Sequence, residues 1–214
     1  MKLHELEQLD EIKLKHAIAG AALAAGLGAG TMHDQDTKQI NLKVVSAEKR
    51  ASEAEKTVSK AKIQAEKDRQ DIQKLTDIVL DKYKISSVQA KRIVELTKKH
   101  EDNVFPKAED LLAVIGIESS FNPAARSHLK HDKAVGLTQV RPKIWGVKAK
   151  DLKGNIDKQI ELASNILNKY YQKLGSKDKA IHAYNVGLTN VRHNKGLNPE
   201  YVQKWKQELK RYAI

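Results

Sequence analysis

The chain contains no cysteine, which excludes a disulfide framework and any thiolate metal site. Aromatic residues make up only 5% of the 214 residues, although hydrophobic residues reach 40%. That supports one core, but not a core filling the whole length. Long apolar runs are also missing. The longest uncharged stretch, residues 17–30 (AIAGAALAAGLGAG), is too short for an ordinary transmembrane span. It follows an acid-containing leader, which makes it a poor signal peptide. No alternating strand pattern is evident anywhere, and no Arg-rich tract interleaved with aromatics marks a nucleic-acid face.

Positive charge is abundant. The formal net charge is +12. Residues 1–100 hold 19 Lys and Arg against 15 Asp and Glu, and residues 101–214 hold 20 against 12. The excess is concentrated in the C-terminal half. A basic surface suits an anionic polymer, either a cell wall bearing carboxylates and phosphates or, ranked second, nucleic acid.

Three regions follow from the patterning. In residues 1–42, Leu3, Leu6, Leu9, Ile12 and Leu14 recur at helical spacing, then comes the Ala/Gly-rich run, then a polar connector over 31–42. Gly20, Ala24 and Gly28 lie four apart, the spacing at which small residues let membrane helices approach. This segment is either a linker or a site of membrane or virion association. Residues 43–75 lack Gly and Pro and are rich in Ala, Lys, Glu and Gln, a composition that predicts a long helix. Its apolar positions are mostly small, so a solvated spacer is preferred over an oligomerising coiled coil. From residue 76 the apolar face is firmer. Ser86 with Gln89 predicts a capping box, with a helix from about 87 to 99. The next helix runs from Pro106 to Glu118, and others lie near 157–174, 177–190 and 199–212. The fold class expected is all-α or mainly α, with a compact domain over 76–214.

Glu118 closes the dense apolar run Leu111–Ile117. A carboxyl at the end of a buried helix has its charged form disfavoured, so its pKa should rise. Such a group can serve as a general acid near neutral pH.

The stretches LLAVIGIESSFNPAARS, AVGLTQVRP, IHAYNVGLTNV and EYVQKW occur in that order between Leu111 and Trp205. Together they resemble lytic transglycosylases of the soluble Slt type, which have a goose-lysozyme-like, mainly helical catalytic domain. Residues 1–75 lie outside the resemblance. It implies cleavage of the β-1,4 bond between N-acetylmuramic acid and N-acetylglucosamine in peptidoglycan, without a cofactor or metal. Glu118 matches the family's catalytic acid/base. Ser127, Gln139, Tyr184 and Asn185 match residues that line the substrate cleft, and Gly187 matches the glycine that follows. Thr138 stands where Met is usual, as does Arg141, and the stretch His128–Lys133 is longer than is common. Glu200 precedes Tyr201 directly and is given no site role.

No second carboxylate after Glu118 has the setting of a catalytic partner. Asp132 lies in a Lys/His-rich loop, and Asp151 also lacks that setting. A single-carboxylate mechanism is therefore expected, with a hydrolytic muramidase on the same fold as the alternative. His128 and His131 lack an evident third ligand, so a zinc site is not expected. Trp145 is placed at the cleft rim and Trp205 in packing. The loop at 128–133, the segment Val140–Trp145 and the N-terminus are similar to tailed-phage proteins. That analogy implies a virion component acting at the periplasm or cell wall, in which wall cleavage would be ancillary.

Overall fold

The computed structural model describes residues 34–127 and 133–213. The expected calls on residues 1–33 and on His128, His131 and Asp132 lie outside them. The described residues are mainly helical, and their only extended pairings are the isolated antiparallel bridges Arg126–Val135 and Val135–Val140. The chain divides into two units, residues 1–67 and 68–214.

Helix α1 is Asp34–Lys82. It starts within the stretch expected as a polar connector and passes through residue 76 without a break. The reason is local: no Gly or Pro interrupts this stretch, so nothing opposes helix propagation. In the first unit it is solvated. Val45 is 62% exposed and Ile63 69%, so this length gains little from burial. Among the described residues, no helix is long and apolar enough to cross a membrane.

In the second unit, Ile72, Leu75, Val79 and Tyr83 recur at the spacing of one helical face, and Leu75 and Val79 are fully buried. Helix α2 (Ser87–Lys99) is N-capped by Ser86, whose side chain accepts from Gln89 N. The reciprocal half of the expected capping box does not form. The Gln89 amide instead donates to Phe121 O at 3.0 Å, tying α2 to the end of the next helix.

That next helix, α3 (Ala108–Ser119), is the centre of the domain, packed against α2, α5 (Ile156–Leu174) and α8 (Pro199–Leu209). Residues Leu111 to Ile115 are all fully buried. A helix that is apolar all round has to be enclosed, and this one is. Asp110 Oδ2 accepts from Lys107 N at 2.9 Å and closes its first turn. The helix ends abruptly, because Ser120 (φ 50°) and Phe121 (φ 64°) are both left-handed. Phe121 is fully buried, with its ring 4.5 Å from that of Tyr83. Burial of that ring holds a backbone conformation that non-glycine residues avoid.

After the turn at 136–139 come a 3-10 turn (Pro142–Trp145) and the short helix α4 (Ala149–Leu152). Helix α5 is amphipathic, with Ile160, Ala163, Ile166, Leu167 and Tyr170 buried along one face. The single helix expected over 177–190 is two, α6 (Lys177–Val186) and α7 (Leu188–Arg192). Gly187 separates them at φ 90°, ψ 148°, a conformation that glycine adopts and L-residues rarely do. The last expected helix ends as α8 at Leu209 and tightens into a 3-10 turn over Lys210–Tyr212.

Candidate functional site

Glu118 sits in the last turn of α3, half-buried beside the left-handed turn. Burial pushes its carboxyl from the ordinary value of 4.5 up to about 7, against the opposing pull of one hydrogen bond. That bond comes from Tyr201 on α8, whose hydroxyl donates to Glu118 Oε1 at 2.5 Å. Tyr201 is itself buried, and burial and the nearby Glu118 both raise its pKa well above the usual range. It remains a neutral donor at any working pH.

Tyr184, from α6, joins this cluster. Burial and then the Glu118 charge hold its pKa well above normal. Its hydroxyl donates to Thr138 O at 2.7 Å, which anchors the turn at 136–139 to α6. Gln139 occupies that turn at φ 48°. Its Nε2 donates to Gly136 O at 2.9 Å, so one amide hydrogen braces the turn and its Oε1 has no partner among the described residues.

Two of the expected site residues are engaged elsewhere. Ser127 makes no hydrogen bond to Glu118 among the described residues. Its Oγ accepts from Ala134 N at 2.9 Å and its N–H donates to Ala134 O at 3.2 Å, which closes the base of the loop between them. Asn185 is exposed, and its Oδ1 accepts from Asn198 Nδ2 at 3.1 Å. Asn198 in turn caps α8 through Tyr201 N. Asn185 therefore braces the helix that delivers Tyr201.

Trp145 lies against Tyr170 with ring centroids 5.8 Å apart, and Lys169 Nζ stands 5.3 Å over its ring. Trp205 is buried in the core, with its Nε1 unpartnered among the described residues.

Three residues were not singled out from the sequence. Tyr201 was visible inside the last motif, but as a neighbour of Glu200, which is exposed. Gln159 is fully enclosed at 1% exposure. Its Oε1 accepts from Leu137 N at 2.8 Å, its Nε2 donates to Leu152 O at 2.7 Å, and its backbone carbonyl accepts from Thr138 Oγ1. It holds the Gln139 turn from beneath. Glu208 is buried on α8, taking hydrogen bonds from Tyr83 (2.6 Å) and Tyr212 (3.3 Å) and pairing with Lys82. No sequence pattern announced either buried partner, because each is defined by residues distant in the chain.

Among the described residues no group of three His, Asp or Glu side chains could hold a metal ion. No curated protein and no solved structure matches the chain significantly. The model of the transglycosylase SLT domain matches residues 95–206. That match covers more than half of the chain and contains every residue of the Glu118 cluster, and the chain belongs to the SLT transglycosylase family.

Proposed function

We propose that this protein is a lytic transglycosylase that cleaves the bond between N-acetylmuramic acid and N-acetylglucosamine, with Glu118 as both acid and base. Membership of the family makes peptidoglycan the substrate and lysozyme-like cleavage of its glycan strands the activity. The observation that carries the finer reading is the state of Glu118. Its carboxyl is raised to about 7 by burial, and the only described side chain bonded to it is a tyrosine. No described carboxylate perturbs it. Two-carboxylate glycosidases set a second acid close by, and here the partners are Tyr201 and Tyr184.

In the proposed reaction, protonated Glu118 donates its proton to the glycosidic oxygen as the C1–O bond breaks. The carboxylate formed then takes the proton of the muramoyl C6 hydroxyl, whose oxygen attacks C1 and closes a 1,6-anhydro ring. The same group ends protonated and no water is consumed. The Tyr201 hydroxyl supports the carboxylate half of this cycle by donating to Oε1. The Gln139 Oε1 and the hydroxyl of Tyr184 suit the amide and hydroxyl groups of the sugars. The site of action would be the cell wall.

Mass spectrometry of muropeptides released from purified peptidoglycan tests this. Products ending in 1,6-anhydromuramic acid, absent with Glu118→Gln, are expected. Reducing muramic acid ends would replace the reading with a hydrolytic muramidase on the same residues. No release by the wild type would end both.

A further inference from the structure

A recess lies beside the Gln139 turn. It measures about 580 Å³, within the range of ligand-binding pockets. Its rim carries Arg126, Lys133, Lys143, Lys148, Lys150 and Lys153, and among the described residues no carboxylate lines it. None of these six side chains has a hydrogen-bond or ion-pair partner among the described residues. Outside the recess, Lys82, Lys99, Lys177 and Lys206 each stand against an acid. Unpaired like charges around one concavity repel one another and concentrate anions there.

The remaining lining is apolar, with Val135, Pro142 and Val147 among it, and Val135 and Pro142 are buried. Among the described residues no aromatic ring lines the recess, so bases have none of them to stack on. A polyol phosphate polymer offers anions but no apolar groups to set on those side chains. A short peptide with free carboxylates and alanine methyl groups offers both.

The two walls are one mechanical unit with the turn that carries Gln139. On one wall Val135 is bridged to Arg126 and to Val140. On the other, Leu152 precedes Lys153. Gln159 joins them by accepting from Leu137 N while donating to Leu152 O. Gly136 is packed so tightly over Gln159 that a Cβ there would fall 2.2 Å from its amide.

From this geometry we infer that the basic recess binds the stem peptide of peptidoglycan, with its carboxylates on the lysine rim and its methyl groups against Val135 and Val147. The inference rests on the reading that peptidoglycan strands are cleaved at Glu118. It assigns specificity to the recess: strands bearing peptides are held more tightly than bare glycan.

Titration of the full chain with the synthetic peptide L-Ala-γ-D-Glu-L-Lys-D-Ala, followed by calorimetry, tests the recess directly. Two variants separate the walls: Lys148→Gln with Lys150→Gln and Lys153→Gln, and Arg126→Gln with Lys133→Gln. All these side chains are exposed, and circular dichroism verifies folding. Each variant should bind the peptide about tenfold more weakly, as expected for the loss of a few exposed ion pairs. The fully amidated peptide should bind the wild type as weakly. On intact peptidoglycan KM should rise with kcat unchanged, and on peptide-free glycan strands the variants should match the wild type. Equal binding by wild type and variants, equal binding of the amidated peptide, displacement of the peptide by poly(glycerol phosphate) at lower concentration, or an equal KM rise on bare glycan would overturn the inference. Absence of turnover by the wild type on every peptidoglycan would remove the proposed activity, while the peptide titration would still decide the recess.

Discussion

Tyr201 and Glu208 stand on one face of α8, roughly two turns apart, and both reach α3 or its surroundings. Tyr201 donates to Glu118 Oε1, while Glu208 lies beside Gly116, where its Oε1 would be 3.1 Å from an added Cβ. One helix therefore sets the position of the acid and locks its own rotation through a buried carboxylate. A rotation of α8 would break both contacts at once.

Replacing Tyr201 with Phe removes the one hydrogen bond that opposes burial at Glu118. The carboxylate loses support, so the pKa of Glu118 rises further. A hydrogen bond to a charged group contributes about 1.5–3 kcal/mol, and 1.36 kcal/mol corresponds to one pKa unit. The alkaline limb of the rate profile, which reports loss of the acid form, should move up by about one pH unit or more. A limb that stays in place would show that Tyr201 does not act on the titrating group.

Glu118→Gln should abolish turnover and also stabilise the protein at alkaline pH. The folded pKa, about 7, lies above the unfolded value near 4.5. The fold therefore favours the protonated form. That contribution is complete below pH 4.5 and is lost as pH rises through 7. Gln remains neutral throughout. The variant should gain about 2–3 kcal/mol over the wild type between pH 4 and pH 8, measured by denaturant unfolding at both values. An unchanging difference would place the carboxyl in ordinary solvent.

Gly116→Ala should destabilise the domain. A Cβ at that position meets the Tyr83 hydroxyl oxygen at 2.5 Å, and that oxygen cannot swing away freely because it donates to Glu208 at 2.6 Å. Overpacking of this kind costs about 1–3 kcal/mol. Tyr83→Phe removes the atom in the way, so the double variant should be less unstable than the sum of the two single ones. Strict additivity in the cycle would refute the steric explanation.

Gln159→Leu would leave Leu137 N and Leu152 O without their side-chain partners in a buried setting. Each unsatisfied group costs about 1–3 kcal/mol. Melting temperature and activity should both fall, since the Gln139 turn rests on this side chain. Full activity in a destabilised variant would separate the turn from catalysis.

Helical class and much of the element order were readable because period and composition act locally. The Ala/Lys/Glu stretch lacks breakers, the Leu111–Ile117 run has to be enclosed, and Ser86 caps the helix it precedes. The breaks that escaped notice are also local, but depend on a backbone state, as at Gly187. Glu118 stood out because an acid at the end of an apolar helix is chemically unusual.

What the sequence determined by itself is therefore a helical domain, its central apolar helix and the acid at that helix's end. What only the tertiary structure decided is who surrounds that acid. Tyr201 reaches Glu118 across 83 residues, Gln159 supports a turn formed by residues 136–139, and Ser127 turns to Ala134. Helix propensity and amphipathic spacing are properties of neighbours in the chain. Burial of a carboxyl, and the hydrogen bond that tempers it, arise only when distant segments pack together.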